Sequence, residues 1–160
     1  MKRHFTATAF VVQDGRTLLH WHRKLQRWLP PGGHLLENED PVSGALREVR
    51  EETGIDAELI ATAPPLPFDE PEQLPAPCTI LIEDIAEPGD PHQHIDFIYV
   101  CRPRPGQVAQ APNEDDVLLW VTQGQLERNE PLPLNGTPVP VPEDVRQRAL
   151  AALAAERAHP

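Results

Sequence analysis

Cysteine is scarce: Cys78 and Cys101 are the only two in 160 residues. That excludes a disulfide-dense scaffold, and no paired Cys or Cys–His spacing marks a structural zinc site. Both are expected as reduced, semi-buried strand residues, with a single disulfide between them as the alternative. Positive charge is also short. Fourteen Lys and Arg against 25 Asp and Glu leave a formal net charge of −11. Such a surface repels phosphate backbones, so no nucleic-acid partner is expected. An anionic small molecule would need cations to bridge it to this protein. Long apolar runs are missing too, none nearing the roughly eighteen residues that span a bilayer. The opening "MKRHFTATAFVVQDG" begins with Lys2-Arg3 but is interrupted by Thr6 and Thr8 and ends in a polar turn. A first strand fits it better than a signal peptide. No membrane partner is expected, and the cytoplasm is the expected location.

What is present fits one globular domain over residues 1–160, with 39% hydrophobic and 24% charged residues. Strands are predicted at Phe5–Val12, Thr17–Arg23, Ile55–Ala63, Cys78–Ala86, His94–Pro103 and Val117–Thr122, from β-branched and apolar content between turn signals. Asp14-Gly15 reads as a hairpin turn. A helix is predicted after Asp40 as cap, with Pro41 at its first position and Gly54 as its stop. The twenty prolines concentrate in loops, notably 64–77 and 131–142, and a last helix covers 143–158. Strands, helix, strands, helix give an α+β class, a mixed sheet layered with helices.

The first helix crowds carboxylates. At about 100° per residue, Glu51, Glu48 and Glu52 fill a sector roughly 100° wide, beside a stripe of Ala45, Val42, Thr53, Val49 and Leu46. Like charges at helical neighbour spacing repel. Hard divalent cations relieve that repulsion, since Mg²⁺ and Mn²⁺ prefer oxygen ligands. A solvated face neutralised by Arg47 and Arg50 is the bland alternative.

The spacing decides between them. Gly33, Glu39, Arg47, Glu48, Val49, Glu51, Glu52, Gly54 and Ile55 fill every defined position of the pattern G-x5-E-x7-R-E-U-x-E-E-x-G-U, U being aliphatic. The segment resembles the Nudix box, and "WLPPGG" before it resembles the Trp-x-x-Pro-Gly-Gly common in that family. The resemblance implies an α/β/α sandwich and a hydrolase that cleaves a pyrophosphate bond in a nucleoside diphosphate linked to another moiety, X. It implies Mg²⁺ or Mn²⁺ as cofactor, a nucleotide-type small-molecule substrate and homodimers as a common assembly. A nucleotide sensor that binds without hydrolysis is the alternative, although such modules usually carry a damaged box.

Carried over residue by residue, the resemblance makes Glu48, Glu51 and Glu52 metal ligands, joined by the backbone carbonyl of Gly32. Arg47, four residues before Glu51, would orient the carboxylates. Glu39 would cap the helix or hold its preceding loop. The general base stays open between a box glutamate and a later acid. Glu114 in "NEDDVLLW" resembles the late metal-binding glutamate of MutT-like members, with Asp115 and Asp116 as substitutes. A polar turn is the alternative for all three.

Outside the box, Arg23, Lys24 and Arg27 stand where they would meet substrate phosphates, or else solvent. His92, His94 and Asp96 alternate, as do His20 and His22, so each set shares a strand face. If the two strands approach, they offer a substrate grip, with His94 and Asp96 as contacts, or a transition-metal site. Ordinary polar strand faces are the alternative. Trp28 and Trp120 are expected to pack rather than stack on a base. The segments 64–77 and 90–94 are expected to line the substrate pocket.

Overall fold

The computed structural model describes residues 1–160. In chain order it runs β1 (Arg3–Gln13), β2 (Arg16–His22), β3 (Arg27–Leu29), β4 (Gly32–His34), α1 (Pro41–Thr53), β5 (Ala57–Leu59), β6 (Thr79–Ile85), β7 (His92–Pro103), β8 (Leu118–Thr122), α2 (Gln123–Glu127), β9 (Leu132–Leu134), β10 (Thr137–Val139) and α3 (Glu143–Ala158). Asp14 and Gly15 turn β1 into β2 with φ of 53° and 72°, the left-handed pair that matches strand twist in a tight hairpin.

The sheet is built around one parallel pair. β1 lies along β7 from Arg3 opposite Gln93 to Val11 opposite Cys101. Antiparallel strands extend it on both sides. β4 pairs with the first half of β1 and β2 with its end, while β6 pairs with the first half of β7 and β5 with its end. β8 and β3 then flank β2.

Strand alternation sorts the side chains into two layers. Ala7, Ala9, Val11, Tyr99 and Cys101 pack against Ala45 and Val49 of α1. Phe10, Val12, Ile98 and Val100 pack against Leu126 of α2 and Val145, Ala149 and Leu153 of α3. The result is the expected α/β/α sandwich of α+β class. Trp28 is fully buried in the second layer and donates its Nε1 to the Val139 carbonyl at 3.2 Å. Both cysteines are free, but neither is semi-buried: Cys78 is exposed just before β6, and Cys101 is fully buried in β7.

α1 begins where its caps dictate. Asp40 Oδ1 accepts from the Ser43 amide at 2.9 Å, a cap worth about 1 kcal/mol. Gly54 ends the helix at φ 71°, donating to the Arg50 carbonyl, a conformation that favours glycine.

Three features depart from the sequence expectation. Of the strand expected at Ile55–Ala63, only Ala57–Leu59 pairs. The proline-rich stretch 131–142 contains the β9–β10 ribbon, with Pro133 opposite Pro138. A ribbon two strands wide has outer edges, where proline costs no ladder hydrogen bond. Finally, β8 runs straight into α2 through a capping box of Thr122 and Gln125.

Near the starts of β1 and β7, the layer facing α3 turns from apolar to polar. Beyond Phe10 and Ile98 come Thr8, Thr6 and His4 on one strand and Asp96, His94 and His92 on the other. That change opens a cleft.

Candidate functional site

The box helix presents its carboxylates to different degrees. The side chains of Glu48, Glu52 and Glu51 are 13%, 24% and 58% exposed. Arg47 engages all five of its N–H donors, on Glu39, Glu48, Glu51 and the His34 carbonyl. Nε and Nη2 grip Glu39 at 2.7 and 3.0 Å, Nη1 reaches Glu48 at 2.9 Å and Glu51 at 3.1 Å, and Nη2 also meets the His34 carbonyl at 3.0 Å. A planar fork engaged on every donor fixes orientation in a way that a lysine could not. Glu39 also accepts from the Leu36 amide at 2.9 Å, so it holds the loop before the helix. Its carboxyl is held low by Arg47.

Burial pushes the Glu48 carboxyl up to about 7. The Arg47 hydrogen bond opposes this, and the charge of Glu52 adds to it. Glu48 lies against β4: a Cβ on Gly33 would stand 2.5 Å from Glu48 Oε1. A Cβ on Gly32 would meet Thr8 Oγ1 at 2.4 Å. Both glycines are therefore demanded by close approach.

Glu52 Oε2 is buried and has no hydrogen-bond donor. His20 Nε2 stands 2.9 Å away but off the line of a hydrogen bond. A buried carboxylate oxygen without a donor, next to a second, half-buried carboxylate, is costly unless a cation joins them. Beside the His20 nitrogen, the box helix itself offers only oxygen donors: Glu48, Glu52 and the more exposed Glu51. This suits a hard divalent ion, so the residues fit the cofactor that the box implies.

A cleft of about 440 Å³ opens beside this face, lined by Gly32, Gly33, His20, Thr6, Thr8, His94 and Asp96. Arg27 and Arg148 line it as well, each paired with Asp144. Asp96 is buried and accepts from Thr8 Oγ1 at 2.9 and 3.1 Å. Burial raises its proton affinity against those bonds. Thr6 Oγ1 is buried with no partner.

The structure groups some expected site residues and separates others. Glu48, Glu51, Glu52 and Arg47 stand together, and His94, Asp96 and Arg27 share the cleft. Arg23 pairs with Asp116 at 3.1 Å, and both line the depression that also holds Glu52 and His20. Glu114 lies apart, in a hollow with Trp21, Leu134 and Asn135. Cleft walls also come from Glu83, Asp84 and Ile85 of β6 and from the first turns of α3, and residues 64–77 take no part in them. β6 and α3 were missed because no local motif ties them to the box. His20 turns to Glu52 instead of meeting His92 and His94. The partners those two find are His4 and His34. No spacing announces that meeting, which depends on strands β1 and β4.

A family model described as the NUDIX domain matches residues 2–140. Among solved structures, the chain is similar to a NUDIX-family hydrolase from Clostridium perfringens, with 28% identity and a TM-score of 0.73 over 96% of this chain and 98% of that one. A MutT NUDIX hydrolase from Burkholderia pseudomallei shows 20% identity and a TM-score of 0.59, over 97% and 98%. An Ap4A hydrolase from C. elegans shows 14% identity and a TM-score of 0.53, over 99% and 96%. Among curated proteins, nothing matches the chain.

Proposed function

The chain belongs to the NUDIX family, and from that premise we propose that it is a Mg²⁺- or Mn²⁺-dependent hydrolase. It would cleave a pyrophosphate bond in a nucleoside diphosphate linked to another moiety. One observation carries this reading: the buried, donor-less Glu52 Oε2 beside the half-buried Glu48 carboxylate. Glu48, Glu51, Glu52 and the Gly32 carbonyl would hold the ion. When bound, it neutralises the charge that develops on the phosphate oxygens.

The chain's own residues do the positioning. Arg47 aims Glu48 and Glu51 while remaining charged, and the two glycines let β4 pass close to the phosphates. Arg27 and Arg148, cations in the cleft, would meet the anionic substrate, with Arg23 at the neighbouring depression. Asp96 and His94 would contact the moiety lodged in the cleft. Its neighbourhood with Glu52 supports Asp116 as the late acid that supplements the box, with Glu114 two residues away on the same loop. Residues 1–160 are read as one domain acting in the cytoplasm. Phe5, Ile80 and Ile82 are exposed, and Phe5 stacks on Phe97 at 6.0 Å. That apolar strip supports a homodimer.

The test strips the protein with chelator, restores Mg²⁺ or Mn²⁺, and assays a panel of nucleoside triphosphates, dinucleoside polyphosphates and nucleotide sugars with product identification. Ion-dependent release of a nucleotide from at least one compound is expected. Tight nucleotide binding without turnover on the whole panel would replace this reading with a sensor.

A further inference from the structure

Four histidines converge at the polar end of the sheet. His4 comes from β1, His34 from β4, and His92 and His94 from β7. One ring nitrogen from each lies within 4.8 Å of all the others. His4 Nδ1 is 3.2 Å from His34 Nε2, and His92 Nε2 is 3.1 Å from His94 Nε2. Nitrogens bound to one tetrahedral ion at about 2.0–2.1 Å stand roughly 3.3 Å apart, so both pairs already have the separation of two ligands.

The tautomer of one ring is settled by its neighbour. His92 is 4% exposed, and its Nδ1 lies 2.7 Å from the Asp90 carbonyl. A carbonyl only accepts, so Nδ1 is the nitrogen that donates to it, and Nε2 is left facing the group. A histidine held through its far nitrogen by a backbone carbonyl is the usual arrangement of a metal-ligating imidazole.

We propose that His4, His34, His92 and His94 form a binding site for a Zn²⁺-class transition metal, separate from the carboxylate site on α1. Imidazole nitrogen selects Zn²⁺, Co²⁺, Ni²⁺ or Cu²⁺ over Mg²⁺, whereas carboxylate oxygens such as those of the box also suit Mg²⁺ and Mn²⁺. Rotation of the exposed His34 and the half-buried His4 closes the wider pairs. Four protein ligands leave no open position, so the ion is structural: it ties β1, β4 and β7 together at the cleft rim. His94 then serves as a ligand through one ring nitrogen while the rest of its ring still lines the cleft. The inference stands whether or not the hydrolase reading holds.

Co²⁺ reports the site directly, since four-coordinate Co²⁺ absorbs strongly in the visible and octahedral Co²⁺ does not. The full chain, stripped with chelator and kept in excess Mg²⁺, is titrated with Co²⁺ and then with Zn²⁺. One equivalent of intense absorption is expected, lost on adding Zn²⁺. It is expected unchanged in Glu52→Gln and weakened at least ~10-fold in affinity in His34→Ala and His94→Gln. His34 is exposed, so its variant tests ligation without disturbing the core. Absent bands in the wild type overturn the proposal, as do bands that require Glu52 but survive both histidine substitutions.

Discussion

Two donor sets flank one short strand. On the α1 side of β4 stand the carboxylates of Glu48, Glu51 and Glu52, the first two held by a single arginine. On the sheet side stand four imidazoles, held by strand register. The first set is local: its members lie within five residues on one helix, so a pattern in the sequence announces it. The second set gathers residues up to 90 apart, and only the pairing of β1 with β4 and β7 creates it. The contrast teaches that donor chemistry and donor visibility are independent. Gly32-Gly33-His34 serves both sets, with glycines on one and a ring on the other.

The largest expected effect breaks the oxygen side alone. Glu52→Gln keeps shape but removes a ligand charge, and should lower ion-dependent turnover at least ~100-fold with an unchanged circular dichroism spectrum. Wild-type turnover in that variant would remove Glu52 from the ion site.

Next comes the shared strand. Gly33→Ala would bring a Cβ to 2.5 Å from Glu48 Oε1 and displace that carboxylate. A loss of roughly 10-fold in kcat, with little change in thermal stability, is the expected kinetic result. An intact kcat would mean that Glu48 moves aside without consequence.

A smaller effect compares the two regions by pH in the metal-free protein. Glu48, raised from 4.5 to about 7 chiefly by burial, keeps a proton in the fold that the unfolded chain has lost. Its contribution to stability is present below the lower value and disappears as pH rises through the upper one. His94, lowered from 6.5 to about 4 chiefly by burial and then by His34, behaves oppositely. Its contribution is present above 6.5 and is lost as pH falls toward 4. Urea titrations in chelator should therefore show the alkaline decline reduced in Glu48→Gln and the acid decline reduced in His94→Gln. Profiles parallel to the wild type would contradict both assignments.

The smallest effect separates two acids of one loop. Asp116→Asn, at the depression shared with Glu52, should reduce turnover more than Glu114→Gln, and kinetics on any accepted substrate will rank them. The reverse order would return the late acid to Glu114.

How much of this was legible follows from the same contrast. Asp40, Pro41 and Gly54 bounded α1 correctly because caps act within a few residues. The face shared by His92, His94 and Asp96 was readable because strands alternate. The partners of that face were not: His20 was expected there, but the β2–β8 and β2–β3 pairings carry it to Glu52 instead. α2 went unseen because a five-residue helix has too little periodicity to register. Arg148 was hidden for another reason, since nothing in a helix of mostly alanine, leucine and charge says which residue overlooks a cleft.

The parallel pairing of β1 with β7 has a consequence in time. Its partners lie about ninety positions apart, and such distant contacts form slowly because the intervening loop must close first. A nascent chain released only as far as the end of α1 would already display its glutamates, yet it would lack the strand that completes the imidazole group and the floor of the cleft. The imidazole group and the floor of the cleft therefore depend on one and the same long-range pairing, that of β1 with β7.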